Sequence, residues 1–365
     1  MSRKNSKRHI TLADIAASAG VTPMTVSRVV NESGYVHTDT REKVLRVLGE
    51  MNYRRNSLAR GLKRQRTDTV GLVLGDVANP FAAELSRGVR EVLLARGYTV
   101  FICISEHNVR EDLAAFDTLA DHRVDGLIVA TRASKQSNER LEQMVDAGMP
   151  TVALGRDFRH PQADFVSADH RRGGLLATMH LIELGHTRIG FVGVSPAKGA
   201  GLKRFQGYCS ALRKRGLPVD DELIVGADAA PDETDNAPGY STEAVGFESM
   251  KKLLALKRPP TAVFARNDFT ALGAMSAIKK HGLRIPHDIA VVGFDDVPFA
   301  THTSPPLTTV RQPTREQGRI AAEFLLRRIE RDEPLPREER VLPCELIVRE
   351  STVAAQPAAA SRKSK

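Results

Sequence analysis

From Thr69 to Phe294, short apolar runs alternate with helix-length amphipathic stretches, and this alternation is the strongest constraint on the fold. The runs TVGLVL (69–74), YTVFICI (98–104), VDGLIVA (124–130) and PTVALG (150–155) are separated by helical patterns at 81–96, 109–122 and 136–147. A second set, RIGFVGV (188–194), ELIVG (222–226), TAVFA (261–265) and IAVVGF (289–294), is interleaved with helical patterns at 203–215, 240–256 and 268–281. Apolar strands linked by helices build parallel sheets covered on both faces. Two such sets predict an α/β core of two Rossmann-like subdomains, with a ligand cleft outside the carboxyl ends of the strands.

The N-terminal segment follows a different period. In TLADIAASAGVTPMTVSRVVNESGYV (11–36), a short helix carrying Leu12, Ile15, Ala16 and Ala19 breaks at Gly20. A second begins with Thr22 as N-cap and Pro23 at the first helical position, where a missing N–H leaves nothing unpaired. Met24, Val26, Val29 and Val30 fall partly on one face, leaving Thr25, Ser27, Arg28 and Asn31 for phosphates and base edges. Two helices around a tight Gly-containing turn are the frame that sets a second helix into a DNA major groove. A third helix is expected from Asp39 to Met51, with Val44, Leu45, Leu48 and Met51 inward. The basic tract YRRNSLARGLKRQRTDT then reads as a linker. Leu58, Ala59 and Leu62 give it a helical stripe that is marginal in isolation.

Charge separates this segment from the rest. Residues 1–66 carry fourteen Lys/Arg against five Asp/Glu, a surplus of nine. The whole chain has net charge +9, so the remaining residues are neutral in sum. A small basic unit on a neutral body is the electrostatic footprint of a nucleic-acid-binding module. Cys103, Cys209 and Cys344 are scattered, which suits a reducing cytosol and opposes a disulfide framework or zinc site. The basic N-terminus precedes no apolar signal region, and no apolar run is long enough to span a bilayer. The expected location is therefore cytoplasmic, with no membrane partner. The expected organisation is a helix-turn-helix domain (1–56), a hinge helix and linker (57–68), a two-lobed core (69–353) and a disordered tail (354–365).

The segments TLADIAASAGVTPMTVSRVVN, LARGLK, NPFAAEL, RVDGLIV, LIELGHTRIGFVG, RFQGY, PTAVFARNDFTALGAM, IAVVGFDDVPFA and PPLTTVRQP, in this order, resemble the LacI/GalR family of bacterial transcription regulators over residues 10–352. The resemblance implies a homodimer, in some members a tetramer, that binds double-stranded operator DNA. It also implies a periplasmic-binding-protein-like core in which a small-molecule effector controls operator affinity. Pro23, Met24 and Arg28 match the family's base-reading positions. Arg28 can donate to guanine O6/N7 or contact phosphate; Met24 offers apolar contact to DNA or packs on the first helix. Thr11, Thr22, Thr25, Ser27, Asn31, Tyr35 and Tyr53 match or neighbour positions that grip sugar-phosphate and fix register. Leu62 matches the leucine wedged into the minor groove, with Ala59 and Lys63 beside it; the alternative is that Leu62 packs the linker on the core.

For the effector, the resemblance points to Phe81, Arg204, Phe264, Asn267 and Asp295, a set suited to a polyol. Arg204 and Asp295 can also form a structural ion pair that closes the cleft. Where many members end the strand PTVALG with Asp, this chain has Gly155 followed by Arg156. If Arg156 turns into the cleft, paired guanidinium groups favour a carboxylate or phosphate; alternatively it pairs with Asp157 or Asp169. The implied effector is a sugar, sugar acid or sugar phosphate.

No enzyme signature competes. The turn KGAGLKR (198–204) lacks the Ser/Thr of a phosphate loop. His160, His170, His180 and His186 lack a metal spacing, and no GxSxG elbow occurs. No cofactor, metal or catalytic residue is expected. The resulting expectation is a repressor of sugar or sugar-acid catabolic genes. The alternatives are the same fold with a purine-type corepressor, or a nonspecific architectural DNA binder.

Overall fold

A computed structural model describes residues 10–53, 66–106, 108–193, 200–226, 243–331, 333 and 335–352. Chain packing divides the protein into two units, Met1–Thr67 and Asp68–Lys365.

The first unit holds α1 (Leu12–Ala19), α2 (Pro23–Val30) and α3 (Thr38–Glu50). Thr11 caps α1 in a reciprocal box: its hydroxyl accepts from Asp14 N (3.3 Å), and Asp14 accepts from Thr11 N (2.9 Å). Gly20 ends the helix at φ 62°, a left-handed conformation that suits a residue without Cβ. Thr22 then caps α2 by accepting from Thr25 N (3.2 Å), with Pro23 at the first position. Ile15, Ala16, Ala19, Val26, Val29, Val30, Val44 and Val47 form the core. Leu45 departs from expectation. It is 53% exposed, and Val47 is buried instead, because the inward stripe of α3 runs 44, 47, 48, 51 and position 45 lies about 100° off it.

The second unit contains two six-stranded sheets. The first orders its strands β11-β5-β4-β3-β1-β2, all parallel, with β1 Thr69–Leu74, β2 Thr99–Ile104, β3 Gly126–Ala130, β4 Thr151–Leu154, β5 Ala163–Ala168 and β11 Glu339–Leu342. Helices α4 (Pro80–Ala95), α5 (Val109–Asp121), α6 (Lys135–Asp146) and α11 (Thr314–Ile329) belong to this lobe. The second sheet runs β12-β10-β9-β8-β6-β7, with β6 Ile189–Val192, β7 Ile224–Val225, β8 Ala262–Ala265, β9 Ala290–Asp295, β10 Thr308–Arg311 and β12 Glu345–Ile347. There only β12 is antiparallel to its neighbour. Helices α7 (His170–Glu183), α8 (Ala200–Lys214), α9 (Glu243–Leu254) and α10 (Asp268–Lys280) belong to this second lobe. The chain passes between lobes three times: from β5 to α7, from β10 to α11, and from β11 to β12.

Three helix pairs meet backbone to backbone through glycines. A Cβ on Gly88 of α4 would lie 2.0 Å from the Arg315 carbonyl oxygen, and one on Gly318 of α11 would lie 2.3 Å from that of Leu85. Gly174 and Gly207 join α7 to α8 in the same way, each 2.2 Å from a facing carbonyl. Gly246 and Gly273 join α9 to α10, at 2.0 and 1.9 Å.

Candidate functional site

In the helical unit, α2 buries its valines and leaves one polar face outward. Met24 is 65% exposed, so it does not pack on α1. Pro23 and Arg28 are exposed, Thr25 and Ser27 half-buried. The Asn31 amide donates to Ser27 Oγ (3.1 Å), and the Thr22 and Thr25 hydroxyls are 3.0 Å apart. Tyr35 is 85% exposed, whereas Tyr53 is half-buried against the core. The face thus gathers Met24, Thr25, Ser27, Arg28 and Asn31 on one short helix. Ala59, Leu62 and Lys63 lie outside the described residues.

In the second unit a cavity of about 200 Å³ opens between the lobes, at the carboxyl ends of β1, β3 and β4 on one side and β8 and β9 on the other. Phe81 lines it from the first turn of α4, where Asn79 caps by accepting Phe81 N (3.0 Å). Asn267 lines the opposite wall and caps α10, its carbonyl oxygen accepting from Thr270 N (2.9 Å) and Thr270 Oγ1 (2.7 Å).

Arg204 and Asp295 form the floor. Arg204 Nη2 donates to Asp295 Oδ1 (3.2 Å), Nη1 to the Arg266 carbonyl (2.6 Å) and Nε to His170 Nδ1 (3.3 Å). The guanidinium also lies 3.7 Å from the Phe294 ring centroid. Both partners of the ion pair belong to the second lobe, so the pair does not bridge the cleft. Gln312, in the second crossover, adds a 2.7 Å bond to Asp295 Oδ1. Asp295 and Asp296 have φ of 116° and 55°, a left-handed backbone that costs of order 1–3 kcal/mol per residue. The turn is held from outside by Arg311 and Arg349, which bind Asp296 at 2.7 and 2.6 Å.

Burial dominates the titration of these groups. It lowers Arg204 and raises Asp295, against the mutual attraction of the pair. Asp268, fully buried behind the floor, is pushed well above the usual carboxylate range by burial and then by the Asp295 charge. Burial, with Arg204, Lys203 and Arg266 nearby, holds His170 well below 6.5.

Two expected cleft residues stand differently. Phe264 does not line the cavity. It is fully buried among Phe191 (5.2 Å) and Phe294 (6.5 Å), on the face of β8 turned to α7 and α8. Arg156 does turn inward at the cleft wall, but all five of its N–H groups are taken. Nη1 donates to Thr131 Oγ1 (2.6 Å) and the Arg132 carbonyl (2.7 Å), Nη2 to Ser137 Oγ (2.6 Å) and Asn138 Oδ1 (2.8 Å), and Nε to Asn138 Oδ1 (3.2 Å). Its ionic partner is buried Asp112 at 3.6 Å, not Asp157 or Asp169. Burial lowers Arg156 to about 10.

Sequence reading missed His170, Gln312 and Gln317 as cavity-lining residues. His170 and Gln312 sit at lobe crossovers, the one positional signal that could have found them.

Residues 11–56 match the model of bacterial regulatory proteins, lacI family, and residues 178–352 that of a periplasmic binding protein-like domain. The chain is 35% identical over 344 residues to the HTH-type transcriptional regulator DegA of Bacillus subtilis, covering 94% of this chain and 98% of that protein. It is 35% identical over 319 residues to the ribose operon repressor of Escherichia coli, covering 87% and 93%. The fold matches a lac repressor dimer bound to operator with TM-score 0.81 at 28% identity, covering 95% of this chain and 100% of that one. A recognition helix with an outward polar face, a two-lobed core with a polar cleft, and near-full-length relatives lead to one conclusion: the chain belongs to the lacI family of bacterial regulatory proteins and is an effector-controlled DNA-binding transcription regulator, not an enzyme.

Proposed function

We propose that this regulator is a cytoplasmic, dimeric repressor whose operator affinity is set by a neutral, monosaccharide-sized polyol in the interlobe cleft. The observation that carries the ligand class is the charge balance of the floor. Arg204 is matched by Asp295, and Arg156 has no donor left for an anion. The Asn267 amide N–H groups and the Asp295 carboxylate add the donor and acceptor chemistry of adjacent hydroxyls. A cavity of about 200 Å³ suits one sugar ring rather than the ~300–1,000 Å³ of drug-sized sites. The ribose operon repressor among the relatives supports the same class.

On DNA, α2 enters the major groove and Arg28 reads guanine, while residues 57–68 complete the operator-binding unit with Leu62 as the minor-groove wedge. Effector binding shifts the balance between two arrangements of the lobes, and through them the hinge.

Calorimetry against neutral sugars, sugar acids and sugar phosphates tests the ligand class, with gel shifts on the chain's own promoter reading the sign of the effect. The expected result is a neutral sugar bound by wild type and, with little loss, by an Arg156→Ala protein that still folds. Tight binding confined to sugar acids or phosphates overturns the reading.

A further inference from the structure

His170 begins α7, directly after the first lobe crossover, and is 5% exposed at the cavity wall. Its ring lies 5.7 Å from Phe294 and is fixed by Arg204, whose Nε–H donates to Nδ1 at 3.3 Å. A guanidinium has donors only and keeps its charge in proteins. Nδ1 must therefore be the acceptor nitrogen, which places the proton of the neutral ring on Nε2. A second ring proton would face Arg204 head-on, with Lys203 and Arg266 also near. Among the described residues no group bonds to Nε2.

The amide side chains of Asn267 and Gln312 have free torsions with which to choose among hydroxyls. The Asn267 carbonyl is already taken by Thr270 and that of Gln312 accepts from Gln317, so their remaining amide N–H groups sit on side chains that can turn toward more than one hydroxyl. A ring nitrogen with one fixed proton does not adapt. We propose that His170 is a specificity-determining residue of the cleft, presenting a single donor-only Nε2–H to one acceptor oxygen of the polyol. This rests on the ligand class proposed above. Discrimination follows because an analogue lacking that oxygen leaves a buried donor unpaired, while a neighbouring hydroxyl in the other configuration cannot reach it.

The two amide side chains separate the nitrogens. His170→Asn places its amide near the Nδ1 position and can still meet Arg204. His170→Gln carries an N–H near the Nε2 position. The full-length protein is titrated by calorimetry with D-ribose, D-xylose, D-glucose, D-galactose and D-fructose. The best-bound sugar and its mono-deoxy analogues are then titrated into wild type and both variants. The expected result is a loss of about 10–100-fold in His170→Asn and a value within about 5-fold of wild type in His170→Gln. One deoxy analogue, weakened on wild type, should bind His170→Asn as well as the parent sugar does. Equal affinities across the three proteins, or equal losses in both variants, overturn the donor role. If wild type binds none of these sugars, the polyol reading falls, and this proposal with it.

Discussion

Gln312 and Asp295 are joined by a 2.7 Å hydrogen bond that ties the middle lobe crossover to the cleft floor. Gln317 of α11 extends the chain, donating to Gln312 Oε1 at 3.3 Å. A polar chain therefore runs from the first lobe's helix to the carboxylate at the cleft floor. Replacing Gln312 with Leu leaves Asp295 one donor short, and about 1–2 kcal/mol is the usual scale for such a loss. Effector affinity should fall roughly 5–30-fold by calorimetry; an unchanged Kd would mean that the polar chain is incidental.

Arg156 and Asp112 form a buried pair within one lobe. Arg156→Met leaves the Asp112 carboxylate without its cation and Thr131, Ser137 and Asn138 without their donor. A destabilisation of ~3–5 kcal/mol is expected in denaturant titrations. The double variant Arg156→Met/Asp112→Leu should recover part of it, because no uncompensated charge remains. A double variant as unstable as the single would locate the loss in the hydrogen bonds rather than the charge.

Acid sensitivity has a defined sign at His170. Its folded pKa lies well below 6.5, so the unfolded chain takes up a proton near pH 6.5 and the native state does not. The stability attached to this difference is complete above pH 6.5 and is lost as pH falls toward the folded value, at up to about 1.4 kcal/mol per pH unit. His180 and His186 are also lowered, chiefly by burial, so the contribution is read as wild type minus His170→Gln. That difference should fall between pH 7 and pH 5, the wild type losing stability relative to the variant; a flat difference contradicts it.

Glycine substitutions should act in opposite directions. Gly318→Ala forces a methyl to within 2.3 Å of the Leu85 carbonyl oxygen and should destabilise the core by ~1–3 kcal/mol. Gly49→Ala, in α3 with nothing within 4 Å of the added Cβ, should stabilise the helical unit by about 0.5–1 kcal/mol. Separate melting transitions would report each.

Arg28 is exposed on the outward face of α2. Arg28→Ala should reduce discrimination between operator and random DNA by ~1–3 kcal/mol in gel shifts at one salt concentration. Equal weakening on both DNAs would make it a phosphate contact.

Much of this was legible from local pattern. Eight strands were evident because each is a continuous apolar run. β5 was not, since fully buried ADFVSA carries Asp164, whose charge only the distant Arg328 explains, through bonds of 2.5 and 2.6 Å. α7 was hidden by Gly173 and Gly174, which count against a helix in isolation. Phe264 was set at the cleft by the resemblance alone, and a strand buried on both faces gives no periodic signal to check which side looks where. The partner of Arg156 is 44 residues upstream in sequence, beyond any local rule.

The glycine-locked helix crossings bear on how this regulator could be rebuilt. Each crossing needs a glycine on both helices, so α7 with α8, and α9 with α10, are natural units of exchange. A chimaera that takes one helix of a pair from another regulator would need both crossing glycines in register. One that takes residues 170–214 or 243–280 whole carries its own joint with it. In the second lobe each joint is thus contained in one stretch of chain, whereas in the first α4 and α11 are more than 200 residues apart and must be moved together from two places in the gene.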